Sequence, residues 1–279
     1  MVREIDVLHL GRDRVIGVHL VRGLLVDPGP ASALGSWIDE LEEEPRGLVL
    51  THIHLDHAGA AGVLVRRFPK LRVYVSEVGA PHLADPSRLL RSAGRLYGDE
   101  NMARLWGEVA PVPVSNLIPL AGGEEVEGFR VLHTPGHASH HVCYLDLDTR
   151  DAYVGDMAGV RIPPTGYTLA PTPPPEIDVA AWLDSVDRIE ALKPARLRLT
   201  HFGTAEDVGA QLDRLRESLR RSAELARRGR ASFLEAVEAE LDAHVDPETA
   251  ERARQAAPPE QQWLGLERYW SRREDGSAD

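Results

Sequence analysis

The sequence predicts an α/β body followed by an all-helical extension. Three observations carry that prediction. Short apolar runs bounded by Gly, Pro and Asp recur through residues 1–204, in the manner of buried strands separated by turns. Helical periodicity interrupts them only at intervals, as an α/β arrangement requires. From Ala205 onward leucine and alanine return every three or four residues, and helix-favouring side chains dominate to the end. The body is therefore placed at residues 1–204 and the extension at 205–279, the latter about half the usual domain size.

Taken in order, EIDVLHL, RVIGVHLV and GLLVDPG read as three consecutive strands with glycines at their turns. RGLVLT is a short apolar run of the buried-strand type. A helix is predicted from Val63 to Phe68, where Pro69 stops it, and LRVYV returns to strand. Residues 82–107 read as irregular helix. FRVLHTPGH, HHVCYLDL and DAYVGD form a second group of strands. PPTGYTLAPTPPP, residues 163–175, holds too many prolines for helix or central strand and is predicted to be an extended loop. DVAAWLDSVDRIEAL has apolar residues at helical spacing, and ARLRLTH is the last predicted buried strand.

Composition narrows the function. With 43% hydrophobic and 27% charged residues the chain can build an ordinary soluble core. Its formal charge of −12 disfavours a phosphate-backbone partner, so no nucleic acid is expected. No stretch approaches the apolar length of a membrane span, and MVREIDVLHL carries no secretory core, so no membrane partner and a cytoplasmic location are expected. The single cysteine, Cys143, cannot form an internal disulfide, which agrees with a reducing compartment. The partner expected is a small-molecule substrate, with a homodimer left open.

LTHIHLDHAG then crowds His52, His54, Asp56 and His57 onto one connection after a buried strand. A packed core gains little from imidazoles, and a surface loop has no need for three. Other predicted strands stop the same way: VLHTPGH at His137, YVGD at Asp156 and LRLTH at His201. Five histidines and two aspartates are about what two ions need when they share one carboxylate. Taken singly each has a structural reading, and Asp156 after a glycine would pass as a turn residue. All of them closing buried strands of one body, where α/β sites assemble, favours a metal site.

THIHLDHAG resembles the HxHxDH signature of the metallo-β-lactamase superfamily, and TPGHASHH, VGD and THFG resemble its second, third and fourth motifs in the same order. The resemblance runs from about residue 5 to 204. It implies an αββα sandwich with the site at one edge. It also implies one metal held by His52, His54 and His137, another by Asp56, His57 and His201, and Asp156 bridging both. The implied cofactors are two divalent ions, zinc first, with iron or manganese as alternatives. Asp27 in LLVDPGP sits where the family places a buried aspartate, which implies an outer partner for a ligand histidine; a plain turn aspartate is the equal alternative. His141 falls where family members often keep a second histidine, and is read as an outer or structural residue. His133 is read as packing, and His9, His19, His82 and His244 have no motif around them.

The implied chemistry is attack of a metal-bridging hydroxide on a carbonyl, with Asp56 also placed to orient it as a catalytic carboxylate. Cys143 lies mid-strand, where burial is expected rather than reactivity. The negative charge argues against the superfamily's nucleases, and His54 against its flavin-linked di-iron reductases, which carry glutamate there. Lactonases follow the bridging aspartate with a tyrosine; the third residue after Asp156 here is Gly159, which weakens that reading. The expectation is a dinuclear metal-dependent hydrolase of a small ester, thioester or lactone, in the glyoxalase II-like or lactonase-like branch. The alternatives are a mononuclear-iron persulfide dioxygenase-like oxidoreductase and a non-catalytic ligand-binding or sensor relative. The helical extension is expected to cover or flank the site, with Tyr167 and Tyr269 as candidate substrate contacts.

Overall fold

Side chains alternate across a strand, so a strand buried on both faces serves two cores at once. The computed structural model describes residues 2–275, and its two six-stranded sheets are built this way. In the first sheet β1 (Val2–Asp6), β2 (Gly17–Val21) and β3 (Leu24–Val26) are antiparallel. The sheet continues in parallel through β4 (Gly47–Val49), β5 (Arg72–Ser76) and β6 (Leu117–Leu120). Six helices fall between these strands: α1 (Leu34–Trp37), α2 (Leu55–Ala58), α3 (Ala61–Arg67), α4 (Ala80–Ala84), α5 (Ser87–Tyr97) and α6 (Asp99–Trp106).

The second sheet opens with β7 (Glu125–Val126), β8 (Phe129–His133), β9 (Val142–Asp146) and β10 (Asp151–Gly155). A separate ribbon of β11 (Val160–Arg161) and β12 (Thr168–Leu169) comes next. After α7 (Val179–Ala191), β13 (Arg196–Leu199) and β14 (Gly203–Ala205) complete the order β14-β13-β10-β9-β8-β7. The extension is α8 (Val208–Ala226), α9 (Arg230–His244), α10 (Pro247–Ala256) and α11 (Pro259–Glu274). Asp178, Asp207 and Asp246 accept backbone N–H bonds at the starts of α7, α8 and α10, each cap worth about 1 kcal/mol.

Alternation sorts the core. Val49, Tyr74, Val142, Tyr144 and Tyr153 meet between the sheets. Leu48, Val73 and Val75 face the other way, onto Trp37 of α1 and Leu64 of α3. Cys143, Leu145 and Val154 turn outward onto Trp182 of α7 and Leu215 and Leu219 of α8. The result is helix, sheet, sheet, helix. The extension joins this last core directly: Phe233, Leu241 and Leu266 belong to the same buried cluster as Val154 and Leu197. Among the described residues no helix is long and apolar enough to cross a membrane.

The strands differ from expectation in three places. β6 and β7 are strands where none was expected; β6 carries Pro119, which its position at a sheet edge tolerates. β13 is followed by β14, a three-residue edge strand paired with it around Gly203. Residues 163–175 are not wholly loop, because Thr168 and Leu169 pair with Arg161 and Val160.

Candidate metal centre

Gly155, with φ +49°, is the last residue of β10, and a Cβ there would fall 2.4 Å from Thr51 Oγ1 and 2.8 Å from His141 Nε2. The absence of a side chain lets Asp156 approach the end of β4, where Thr51, His52 and His54 lead into α2. α2 in turn places Asp56 and His57 on one short turn. His137 follows Gly136, whose φ is +138° and whose missing Cβ lets the loop lie against the backbone of Trp182. His201 follows β13.

These residues form two adjoining groups. His52, His54, His137 and Asp156 offer ligand atoms within 4.8 Å of one another, as do Asp56, His57 and His201. In the first group His54 Nδ1 lies 3.0 Å from His52 Nε2 and 3.0 Å from His137 Nε2. His137 Nε2 is 3.1 Å from Asp156 Oδ2. The other oxygen, Asp156 Oδ1, is 3.2 Å from His57 Nε2 and 3.6 Å from His201 Nε2. Asp56 Oδ2 closes the second group at 3.4 Å from His201 Nε2 and 3.9 Å from His57 Nε2.

Opposite ring nitrogens are anchored so that lone pairs point inward. His57 Nδ1 donates to Asp27 Oδ2 (2.8 Å), His137 Nδ1 to the Pro171 carbonyl (2.9 Å) and His201 Nδ1 to the Val15 carbonyl (2.6 Å). His52 Nδ1 donates to Thr51 Oγ1 (3.1 Å), which itself donates to Asp27 Oδ2. Such partners set the tautomer and aim of a metal-binding imidazole. His141 donates or accepts at Thr134 Oγ1 (2.9 Å), its ring stacked 5.0 Å from that of His52.

A cation fits this donor set. A single proton between His54 Nδ1, His52 Nε2 and His137 Nε2 can serve only one of two 3.0 Å contacts, so a second pair of lone pairs is left opposed. A tetrahedral ion with bonds of about 2.0–2.1 Å separates its ligand atoms by roughly 3.3 Å, close to the spacings found. His57 Nε2, His201 Nε2 and Asp156 Oδ1 are buried and make no well-formed hydrogen bond.

Electrostatics agree. Burial, then the neighbouring rings, holds His52 well below the ordinary histidine range, and burial pushes His137 down to about 4. These imidazoles are neutral, as ligation requires. Burial also opposes the cationic forms of His57 and His201, yet Asp156 and Asp56 outweigh it and raise both. Burial likewise opposes ionisation of Asp156, but His57, His137 and His201 hold it well below the carboxylate range. In the second group protons stand where positive charge is wanted.

A family model described as the metallo-beta-lactamase superfamily matches residues 20–201, a span that contains all seven ligand candidates. The chain belongs to that superfamily. Its members are mostly metal-dependent hydrolases. The metallo-beta-lactamase fold-containing protein ST1585 of Sulfurisphaera tokodaii is 30% identical over 190 residues, 64% of this chain and 68% of that protein. The crystal structure of ST1585, an archaeal superfamily protein from Sulfolobus tokodaii, covers 95% of this chain and 97% of its own, with TM-score 0.71 at 21% identity, and shows the shared fold. TTHA1623, solved in a di-iron-bound form, is 26% identical with TM-score 0.55, covering 70% of this chain and 91% of that one. A hydroxyacylglutathione hydrolase of Salmonella paratyphi A is 30% identical over 128 residues, 44% of this chain but only 38% of that enzyme.

The two tyrosines singled out in the sequence lie elsewhere. Tyr167 donates to Glu240 of α9 (3.3 Å) and stacks on His244, while Tyr269 is buried in the core shared by the body and extension and touches Trp270. Neither contacts a ligand candidate among the described residues. Sequence reasoning missed a different wall. Leu55, between His54 and Asp56, packs into a cluster with Ala93 and Trp106 and with the half-buried Leu89, Tyr97 and Met102. Burial and then the Asp56 charge raise the pKa of Tyr97, which places that phenol in the field of the site. His9 stacks on Trp106 and bonds the Leu105 carbonyl, so α6 is held close to the second group. An α5–α6 amphipathic signal was present, but nothing local said that it would fold over Leu55.

Proposed function

We propose that this chain is a dinuclear metal-dependent hydrolase of a small ester, thioester or lactone. The observation that carries the reading is Asp156, whose two oxygens each face one ligand group at 3.1–3.2 Å. His52, His54 and His137 would hold one ion, Asp56, His57 and His201 the other, with Asp156 shared. Two divalent cations at such a centre supply the positive charge that acidifies water and polarises a scissile carbonyl. Zinc is the first expectation, and the di-iron form of TTHA1623 makes iron the leading alternative.

The chain's own groups have separable tasks. Asp56 is held below the carboxylate range, burial being overcome by His57 and His201, so it is ionised. Its side chain is 22% exposed against 5% for Asp156, which makes it the carboxylate that incoming water can reach and to which it can give a proton. Asp156 and the anchored imidazoles hold geometry. Leu55 and the α5–α6 cluster exclude water on one side and offer apolar surface to an acyl group. Cys143 is no nucleophile here: burial pushes its thiol up to about 12, and Thr134 donates to its sulfur. The match to part of a hydroxyacylglutathione hydrolase supports a thioester as the first substrate class to try.

The test is metal analysis of the protein as isolated, followed by a panel of thioesters, esters and lactones. Two ions per chain, with hydrolysis and at least one ion lost in Asp156→Ala, are expected. One iron per chain with oxygen consumption on persulfides would overturn the hydrolase reading.

A further inference from the structure

The connection between β1 and β2, residues 7–16, is strained chain lying against the metal centre. Leu8, Leu10 and Arg14 all take left-handed backbone, with φ of +50°, +56° and +56°, where a side chain crowds the neighbouring carbonyl. Leu8 and Leu10 are also 45% and 44% exposed, so apolar burial does little to hold them. Such a segment keeps its shape only where its surroundings impose it. Its end bears directly on a ligand candidate. The Val15 carbonyl accepts from His201 Nδ1 at 2.6 Å, and Gly17 N–H donates to the Thr200 carbonyl at 2.9 Å. Arg14, one of the left-handed residues, comes immediately before Val15.

The body supplies part of the restraint. Asp6 accepts from Leu8 N–H at 3.0 Å and from Arg14 N–H at 2.6 Å, and Val7 N–H donates to the Ile16 carbonyl at 3.1 Å. The rest comes from α10, whose Arg252 lies 239 residues along the chain from Asp13. Arg252, its side chain 3% exposed, donates through Nε to the Asp13 carbonyl (3.1 Å) and to Asp13 Oδ1 (3.0 Å), and through Nη2 to Asp13 Oδ1 (2.6 Å). Glu248 accepts from the same Nη2 at 2.6 Å, which fixes the guanidinium from its other side. Gln255 donates to the His9 carbonyl and accepts from Arg12, both at 2.9 Å. Arg12 also reaches the Glu251 carbonyl (3.1 Å). Glu251, Arg252 and Gln255 thus grip the segment at Arg12, Asp13 and His9. A rigid guanidinium with several donors on one residue fixes direction as well as charge.

We propose that Arg252 of the helical extension is a positioning residue for His201, acting through Asp13 and the segment that ends at Val15, with Gln255 supporting it at His9. What the ring then holds rests on the dinuclear reading; the aim of the ring does not. The extension is by this route part of the metal-binding apparatus. Without the grip of α10 the second ligand group loses its anchored imidazole, while His52 and His137 keep theirs from Thr51 and Pro171.

Arg252→Ala and Asp13→Ala break the grip from its two ends. Asp13 is 44% exposed, so its variant keeps the fold even where loss of the buried arginine does not. Arg254→Ala is the control, since it frees α10 from Glu238 and Asp242 of α9 and makes no contact with residues 7–16. The first reading is taken on metal-free protein by NMR: the exchange with water of the His201 Nδ1 proton, assigned by its loss in His201→Gln. It should quicken about tenfold or more in both grip variants, stay near wild type in Arg254→Ala, and be partly rescued in Arg252→Lys. The second reading is chelator titration of the cobalt-loaded protein. The ion of the second group should be held about tenfold or more weakly in the grip variants, and that of the first group as in wild type. An unchanged His201 proton in Arg252→Ala and Asp13→Ala overturns the proposal, as does equal quickening in Arg254→Ala, which is what a merely structural role gives. A wild type that holds one ion ends the dinuclear reading and leaves the His201 proton to decide this one.

Discussion

Replacing Asp27 with asparagine keeps the shape of a fully buried side chain and removes one acceptor role from it. Asp27 Oδ1 accepts the Thr51 N–H at 2.8 Å. Its Oδ2 accepts three donors: Thr51 Oγ1 at 2.7 Å, His57 Nδ1 at 2.8 Å and Thr200 Oγ1 at 3.0 Å. An amide nitrogen at the Oδ2 position has two hydrogens for three partners and faces His57 Nδ1 donor to donor. The imidazole proton must then move to Nε2, the atom 3.2 Å from Asp156 Oδ1 and the one required for ligation. An amide nitrogen at the Oδ1 position instead meets the Thr51 N–H, again donor to donor. Either orientation leaves a buried group unsatisfied, at a cost of about 1–3 kcal/mol. Affinity for the ion of the second group should fall about 10- to 100-fold, the usual effect of losing an orienting partner. Cobalt substitution followed by titration against a chelator would read the two sites, and urea unfolding the stability. Asp27→Asn with both ions held at wild-type affinity and unfolding in urea unchanged would refute the claim that Asp27 orients His57 and Thr51.

Three other outcomes follow from the same structure. Burial in the first sheet pushes His19 down to about 4, against about 6.5 when unfolded, so unfolding takes up a proton. Its contribution is complete above pH 6.5 and is lost as pH falls toward 4; between pH 7 and 4.5 that is about 2–3 kcal/mol, and His19→Gln should remove this part of the slope in urea titrations. Gly265→Ala should cost about 3 kcal/mol by thermal or urea unfolding, because its Cβ would lie 2.0 Å from the Thr172 carbonyl oxygen and push α11 off the body. His140→Ala should leave metal stoichiometry at the wild-type value while His137→Ala does not, since the His140 ring is buried 5.6 Å from that of His54 but offers no atom to either ligand group.

The candidate ligands were legible because their signal is local. His52, His54, Asp56 and His57 share one connection, and His137, Asp156 and His201 each follow a strand whose apolar run marks it as buried. Strand alternation then explains why two sheets enclose one core and turn their other faces to helices. What was not legible depends on long-range packing. Leu55 meets Trp106 across some fifty residues, and no spacing rule encodes that contact. Tyr167 is expected at the pocket because its loop leaves Asp156, but its ring is engaged by Glu240 and His244 of α9. The aromatic cluster near residue 270 likewise serves the core shared with α8, where Trp270 donates to the Ala223 carbonyl at 2.8 Å. Short edge strands such as β7 and β14 have too few residues to show a period at all.

Asp27 shows how one position can answer two demands at once. In LLVDPGP it passed equally as a turn aspartate or as the partner of a ligand histidine. Its φ of +49° is the left-handed conformation in which aspartate and asparagine are among the few side chains tolerated, so the turn reading holds. Its carboxylate also gathers Thr51, His57 and Thr200 from the ends of three chain segments, as an anchoring role requires. Glycine would satisfy the backbone and leave His57 Nδ1 without an acceptor. Glutamate would supply a carboxylate but is ill suited to the positive φ. Asparagine satisfies the backbone and fails at the imidazole or, turned over, at the Thr51 N–H. Of these residues only aspartate meets both demands, and that is why the same position follows β3 and aims the second half of the candidate metal centre.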